Sequence, residues 1–413
     1  MWETTGVTDE SQFDIAIAGG GPVGLTLAVA LGQEAPGIRV LLVDDQGGAK
    51  RGDRRASAIS AAARRMFEHL GVWAAVADSA EPLREMIVTD SRTADVARPV
   101  FLTFDGTVED GEPFAHMVPN GDLTSALAEA AARSGVVIAA PQSVAGFAAG
   151  DDSVTLTLGD GGTRQASVLV AADGVRSRLR DLAGIRTLEW DYGQMALVAT
   201  IAHERPHHGR AEEHFLPGGP FATLPLKGNR SSLVWTEPTA RAKELLAGDE
   251  ATFLAELVQR LGHHLGEVRL EGGRQGYPIA LRLARDYVKP RFALVGDAAH
   301  SIHPLAGQGL NLGLRDVAAL AETIVEALRL GLDPGAVDIL ERYQAWRRFD
   351  TTEMGAVTDG LNRLFSNDNA IVRAVRDIGL GLVDRTPVLK RMMIGEAAGI
   401  SGAIPRLLRG EGI

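Results

Sequence analysis

The amino-acid sequence predicts an α/β fold: a mostly parallel sheet with helices on both faces, a second, antiparallel sheet inserted into it, and a helical C-terminal region. Three observations carry that expectation. Short, almost continuous apolar runs at 13–18, 38–43, 167–172 and 292–295 suit parallel strands covered on both faces. Between about Tyr192 and Tyr277 the pattern changes to segments separated by hairpin-type turns. From Leu310 onward apolar residues recur at helical spacing.

Taken in order, residues 1–12 read as a polar tail and 13–18 as a strand. A glycine turn leads into a helix over 22–31, and 38–43 forms the second strand. The strands at 167–172 and 292–295 belong to the same sheet, which is therefore assembled from distant parts of the chain. Segments 196–202, 221–226 and 231–236 read as antiparallel strands, the last two joined by Lys227-Gly228-Asn229-Arg230. Phe215 and Trp235 fit inward positions of that sheet, where core packing explains them as well as substrate contact does. Leu310, Leu314, Val317, Ala321, Ile324 and Leu328 mark one helix face, and Gly331 with Pro334 supplies a stop. The remainder, to about Gly395, reads as mostly helical. Arg347-Arg348 within it reads as a solvated face, and His207-His208 and His263-His264 as surface pairs.

Composition narrows the class. The chain has 413 residues, 45% of them apolar, with 42 Lys plus Arg against 53 Asp plus Glu and a net charge of −11. No basic excess is available to coat a phosphate backbone, so nucleic acid is not expected as a partner. The absence of cysteine excludes disulfides, thiolate metal sites and thiol nucleophiles. Residues 15–33 are uncharged over 19 positions, about the length of a bilayer span. Gly19, Gly20, Gly21 and Pro22 interrupt that run and the preceding tail carries only acidic charges, so a buried strand and helix are expected rather than a transmembrane segment or signal peptide. Glycine is in excess, 48 residues where average usage near 7% would give roughly 29.

The first chemical motif is Gly19-x-Gly21-x-x-Gly24 between a strand and a helix, with Asp44 at the end of the next strand. The first glycine permits a tight turn, the second lets a pyrophosphate approach the backbone, and the third lets helix and strand pack closely. Asp44 is placed to bind a ribose. The motif indicates dinucleotide binding without choosing between FAD and NAD. A second motif is Asp173-Gly174-Val175-Arg176-Ser177-x-x-Arg180 at a strand end. A third runs from Phe292 to Asp316 and contains Gly296-Asp297 and Gly307-Gln308-Gly309-Leu310-Asn311. His300 and His303 have a spacing that admits metal ligands, but no third ligand is evident and no metal is expected. The chain contains no Gly-x-Ser-x-Gly elbow, phosphate loop or His-Glu-x-x-His. It has one glycine fingerprint; a reductase with a separate nicotinamide domain would show a second.

Together these motifs resemble those of the class A flavoprotein monooxygenases, typified by para-hydroxybenzoate hydroxylase. His303-Pro304-Leu305-Ala306-Gly307-Gln308-Gly309-Leu310-Asn311-Leu312-Gly313 resembles more narrowly the ubiquinone-biosynthesis hydroxylase family. Asp53-x-Arg55-x-x-Ala58-Ile59-Ser60, Tyr192-Gly193-Gln194, Leu224-Pro225-Leu226 and Tyr343-x-x-x-Arg347-Arg348 add to the likeness, which spans about 14–395.

The resemblance implies a Rossmann-like FAD-binding domain (13–75, 115–185 and 285–330), an inserted antiparallel β-sheet substrate domain (76–114 and 186–284) and C-terminal helices (331–413). It implies FAD as cofactor and NAD(P)H as electron donor. Gly19, Gly21, Gly24 and Asp44 would hold the adenosine and pyrophosphate part, and Arg55 would lie against the same region. Asp173 would sit beside the pyrophosphate and the donor's path. Gly296 would also border the cofactor and Asp297 would hydrogen-bond its ribityl or pyrophosphate part, while Gly307, Gly309, Leu310 and Asn311 would face the pyrimidine edge of the flavin. Pro304 and Gly307 would lie near the reacting face, and Gln194, Leu224 and Pro225 on the substrate side; no acid–base residue is assigned.

The implied function is hydroxylation, with O2, of the aromatic ring of a polyprenylated phenol in ubiquinone synthesis. Hydroxylation of a small soluble phenol, a flavin dehydrogenase or reductase that inserts no oxygen, and a non-enzymatic assembly subunit remain open. The resemblance also implies a cytoplasmic protein, peripheral at the inner face of the membrane, and leaves open a homo-oligomer and contacts with other ubiquinone-biosynthesis proteins. An acidic chain gains nothing overall from anionic lipid heads, which argues for contact through apolar patches or partner proteins; Leu361, Leu364 and Phe365 with Met392, Met393 and Ile394 suit an oligomer interface or a membrane-facing patch, and ordinary helix packing explains them slightly better.

Overall fold

A computed structural model describes residues 11–46, 55–90, 100–108, 111–303, 307–365 and 386–413. The elements used below are, in chain order, β1 (Gln12–Ala18), α1 (Pro22–Glu34), β2 (Val40–Val43), β3 (Ala56–Ser60), β4 (Glu85–Asp90) and β5 (Ala115–Pro119). They continue with β6 (Thr163–Ala171), β7 (Thr187–His203), β8 (Arg210–Leu216), β9 (Gly219–Leu226) and β10 (Arg230–Pro238). The last are β11 (Gln275–Ala284), β12 (Phe292–Leu294), α2 (Gly309–Arg329) and α3 (Val337–Phe365).

The apolar runs form the central sheet. β12, β6, β1 and β2 lie side by side and parallel, followed by the strand Val137–Ala139. Ile15 to Ala18, Val40 to Val43 and Val168 to Ala171 are all buried, as strands covered on both faces require. Helix α1 buries every residue from Gly24 to Leu31. The long uncharged stretch is thus a buried strand followed by a buried helix, and among the described residues no helix is long and apolar enough to cross a membrane.

The second sheet has nine strands. β7, 17 residues long, is its spine and pairs antiparallel with β10 on one side and β11 on the other. β9 and β8 extend it, joined to β10 by a turn in which Gly228 has φ 77°. The sheet is not wholly antiparallel, because β4 joins β8 in parallel. β4 enters from a part of the chain far from β8, so no hairpin constrains its direction. A three-stranded sheet of β3, β5 and Glu81–Pro82 bridges the two large ones.

Trp235 and Phe215 are both buried in the second sheet. Arg347 corrects the reading of Arg347-Arg348 as a solvated face: it is 1% exposed while Arg348 is open. Buried Asp316, invisible as a partner in the sequence, supplies the compensating charge. The His207-His208 and His263-His264 pairs do lie at the surface, where His207 meets the Leu226 carbonyl at 2.8 Å and His264 meets Glu212 at 3.2 Å.

Candidate active site

Strand register assembles the site. Ala18 is opposite both Ala171 and Val43, and Ala171 is opposite Leu294. Four parallel strands therefore end level, and the residues that follow them are Gly19, Asp44, Asp173 and the Gly296-Asp297 pair. A crevice outside the carboxyl ends of parallel strands is where α/β sheets bind ligands.

The glycine turn is shaped at each position. Gly19 has φ 118°, and a Cβ on it would strike the Ala172 carbonyl. A Cβ on Gly24 would strike the Gly19 carbonyl, whereas at Gly21 nothing lies within 4 Å. Two glycines are thus closed by packing and the middle one faces open space. Helix α1 starts at Pro22 without a side-chain cap, leaving its first-turn amides and positive dipole end for an anion. Asp44 Oδ1 accepts from the Gly20 amide at 2.9 Å, which fixes the carboxylate at the turn.

Asp173 accepts from the Leu179 amide at 3.2 Å through Oδ2. Its Oδ1 is buried with no hydrogen-bond partner, a cost of about 1–3 kcal/mol unless a bound group donates to it. Arg180 binds the Ala298 carbonyl at 3.1 Å and so clamps the Asp173 turn to the Gly296-Asp297 turn. The Gly296 amide donates to Asp316 Oδ2 at 2.9 Å.

Between the two sheets lies a cavity of about 390 Å³, lined by Arg55, Asp297, Gly307, Leu310, Asn311 and Leu224 among others. Asp297 is open to its lumen yet surrounded by protein; burial raises its pKa, opposed by the charges of His300 and Arg55. The Arg55 guanidinium lies over the Tyr277 ring, 5.2 Å from its centroid. Asn311 does more than border the cavity. Its side chain accepts from the Ser60 amide at 3.0 Å and donates to the Ala58 carbonyl at 2.8 Å, tying the start of α2 to β3. At Gly309, the first residue of α2, a Cβ would meet nothing within 4 Å.

The structure brings most of the expected positions to one place and leaves two apart. Leu224 lines the cavity. Gln194 instead donates to the Gly218 carbonyl at 3.0 Å, and Pro225 sits opposite Ser231; neither is among the lining residues. Pro304 lies outside the described residues. His300 is bound to Asp316 at 2.5 Å. His303 is fully buried edge-on to Tyr192 at 5.4 Å, and burial lowers its pKa to about 4 despite the opposing charge of Asp359.

These residues fit a flavin dinucleotide: an open Gly21, free helix amides, an orphaned Asp173 oxygen and a cavity at the strand ends. Residues 12–354 match the FAD binding domain family. The chain belongs to that family, and within it to the ubiquinone-biosynthesis hydroxylases. FAD is its cofactor. It is 45% identical to ubiquinone hydroxylase UbiL of Rhodospirillum rubrum over 98% of this chain and 94% of the relative. It is 37% identical to 3-demethoxyubiquinol 3-hydroxylase of Escherichia coli over 94% of this chain and 98% of the relative. In fold it resembles p-nitrophenol 4-monooxygenase of Pseudomonas putida, with a TM-score of 0.78 at 20% identity, covering 95% of this chain and 99% of the other.

Proposed function

We propose that this chain is an FAD-dependent monooxygenase that hydroxylates the aromatic ring of a polyprenylated phenol in ubiquinone biosynthesis, with NAD(P)H as donor. The observation that carries the reading is the cavity, which joins the Gly307–Asn311 segment to an apolar wall of the second sheet containing Leu224. Reduced FAD, when bound, activates dioxygen and supplies the oxygen atom inserted into the ring.

The remaining tasks fall to the chain. Gly19, Gly21, Gly24 and the first amides of α1 hold the pyrophosphate, and Asp44 holds the adenosine ribose. Arg55, kept in place by Tyr277, neutralises phosphate charge. Asp173 offers its unpartnered oxygen beside the pyrophosphate, on the donor's path. Gly296 and Asp297 face the ribityl chain. Gly307, Gly309, Leu310 and Asn311 bring backbone and the positive end of α2 to the flavin's electron-rich edge. Gly307 borders the reacting face. Leu224 contacts the substrate, while Gln194 and Pro225 shape the sheet behind it. The cavity excludes water from the reacting centre.

A prenyl tail resides in lipid, so the protein works peripherally at a membrane. Exposed Leu188, Trp190 and Phe349, at 54%, 52% and 73%, support this together with Arg186, Arg285 and Arg348 nearby.

The deciding experiment supplies purified holoenzyme with NAD(P)H, labelled O2 and a short-chain prenylated phenol. One labelled oxygen in the product supports the reading. NAD(P)H oxidation without label in the product points to a dehydrogenase, and equal turnover of a tail-less phenol points to a hydroxylase of small soluble substrates.

A further inference from the structure

Strands β7 to β11 bring four polar side chains to the cavity, Glu212, Glu213, Ser232 and Tyr277, in a wall otherwise made of small and apolar residues. Three of the four are engaged. Glu212 meets His214 and His264 at 3.4 and 3.2 Å, and Glu213 already interacts with a neighbour. The Tyr277 hydroxyl donates to Gln275 at 2.5 Å while its ring lies under Arg55. Ser232 differs: it is 2% exposed, and among the described residues its hydroxyl has no hydrogen-bond partner.

Strand alternation fixes the direction of that hydroxyl. Ser231, its neighbour in β10, lies on the other face and binds the His203 ring at 3.1 Å, and Leu233 beyond it packs with Trp235 in the core behind the sheet. Ser232 and Val234 are the residues that β10 turns to the cavity. Across the strands Ser232 is opposite Leu224 of β9 and Thr200 of β7. Thr200 does not line the cavity, so Ser232 is the hydroxyl this row offers to it. Ser301 also lines the cavity, but in the segment that follows Asp297 on the cofactor side.

Ser232 is close to the flavin-facing segment. Leu224, roughly 5 Å away across the strand pair, packs against an apolar cluster that contains Ala58 and Ala211. Ala58 in turn lies 3.5 Å from where Gly307 would carry a Cβ. We infer that the Ser232 hydroxyl hydrogen-bonds the phenolic oxygen of the substrate and so sets which edge of the ring meets the flavin. The inference rests on the aromatic hydroxylase reading above.

The physical reason is that an apolar wall holds a prenylated ring without fixing its rotation in the plane. One directional bond does fix it. A serine hydroxyl supplies one donor and two acceptor sites, and a phenol, the more acidic of the two hydroxyls, donates to it. A phenol that donates carries more electron density at the ring carbons ortho and para to its oxygen, where an electrophilic oxygen adds. No proton changes owner; the bond orients the ring. Burial acts in the same direction, because a hydroxyl closed off from bulk water is destabilising until a ligand oxygen pairs with it. A neutral hydrogen bond of this kind corresponds to roughly threefold to tenfold in affinity.

The test titrates holoenzyme with a short-chain prenylated phenol and with the same ring lacking the hydroxyl, reading binding from the visible absorbance of the bound flavin. Ser232→Ala is expected to lower the preference for the phenol over its deoxy analogue by about threefold to tenfold at unchanged FAD content. Ser232→Thr and Ser232→Val have nearly the same shape and differ in the hydroxyl, so the first should keep the preference that the second loses. This pair guards against an alanine variant that fails to fold. An undiminished preference in Ser232→Ala, or equal preferences in Ser232→Thr and Ser232→Val, overturns the inference while leaving the function intact. Absence of any response from wild type to both ligands overturns the aromatic hydroxylase reading, and this inference with it.

Discussion

At Gly21 and Gly24 the same added methyl group has opposite consequences, because one position faces open space and the other a carbonyl oxygen. Gly24→Ala should destabilise the FAD-free protein by about 2–4 kcal/mol through backbone overpacking. Gly21→Ala should leave the melting temperature of the FAD-free protein unchanged, because nothing lies within 4 Å of the added carbon, and should lower the FAD content if that space is the one proposed for the cofactor's phosphates. Thermal unfolding with flavin quantitation separates the two, and equal loss of melting temperature in both would contradict the assignment of Gly21. These glycines and Asp44 were legible in the sequence because backbone chemistry imposes a fixed spacing on them. Tyr277, which carries the Arg55 guanidinium over its ring at 5.2 Å, was not: an aromatic in a strand carries no spacing signal, and it meets Arg55 only through the fold. Gln194 and Pro225 show the converse, since a motif can mark a segment without showing which side chains reach the cavity.

Elements are joined at the site by buried Asp316. From α2 it receives the Gly296 amide, His300 at 2.5 Å and Arg347 of α3 at 2.9 Å. Arg347 also reaches Asp350 at 2.7 Å. Burial alone would raise the Asp316 pKa, but the charges and hydrogen bonds of His300 and Arg347 outweigh it and bring it below the ordinary 3.8. A depressed carboxylate contributes stability that is complete above its unfolded pKa and is lost as pH falls through the folded value. The contribution is therefore full at neutral pH and disappears only in strong acid. Asp316→Asn leaves buried His300 without its anion and Arg347 with Asp350 alone, and should cost about 3–5 kcal/mol, with lower FAD content because the Gly296 turn loses its anchor. Denaturant unfolding at pH 7 checks this, and a loss under 1 kcal/mol would show that the network does not hold the turn. Strong periodicity made α1 and α2 legible in the sequence. The direction of β4 and the burial of Arg347 were not, because both depend on partners far away in the chain: β8 for one, Asp316 for the other.

For the molecule as a whole, a net charge of −11 argues against attraction to anionic lipid, but charge acts locally once screening limits its reach to about 10 Å. Arg186, Arg285 and Arg348 line one shallow groove of about 710 Å³ with Leu188, Leu283 and Lys289. Lys289 is paired with Asp286 at 3.1 Å; the three arginines have no carboxylate partner among the described residues. Leu188 and Trp190 follow each other on one side of β7, and Phe349 adjoins Arg348 on α3. Guanidinium groups beside exposed aromatic and aliphatic side chains suit an interface of anionic headgroups and acyl chains. Each cation near such a surface is worth about 1 kcal/mol, so replacing Arg186, Arg285 and Arg348 together by glutamine should weaken partition onto anionic vesicles by a factor on the order of a hundred. Wild type should sediment with those vesicles, be released by salt, and ignore vesicles of neutral lipid. The triple variant should keep its flavin and its turnover of a detergent-dispersed short-chain phenol, since none of the three arginines lines the cavity between the sheets. Sedimentation of the triple variant equal to that of wild type would show that this groove is not a membrane contact.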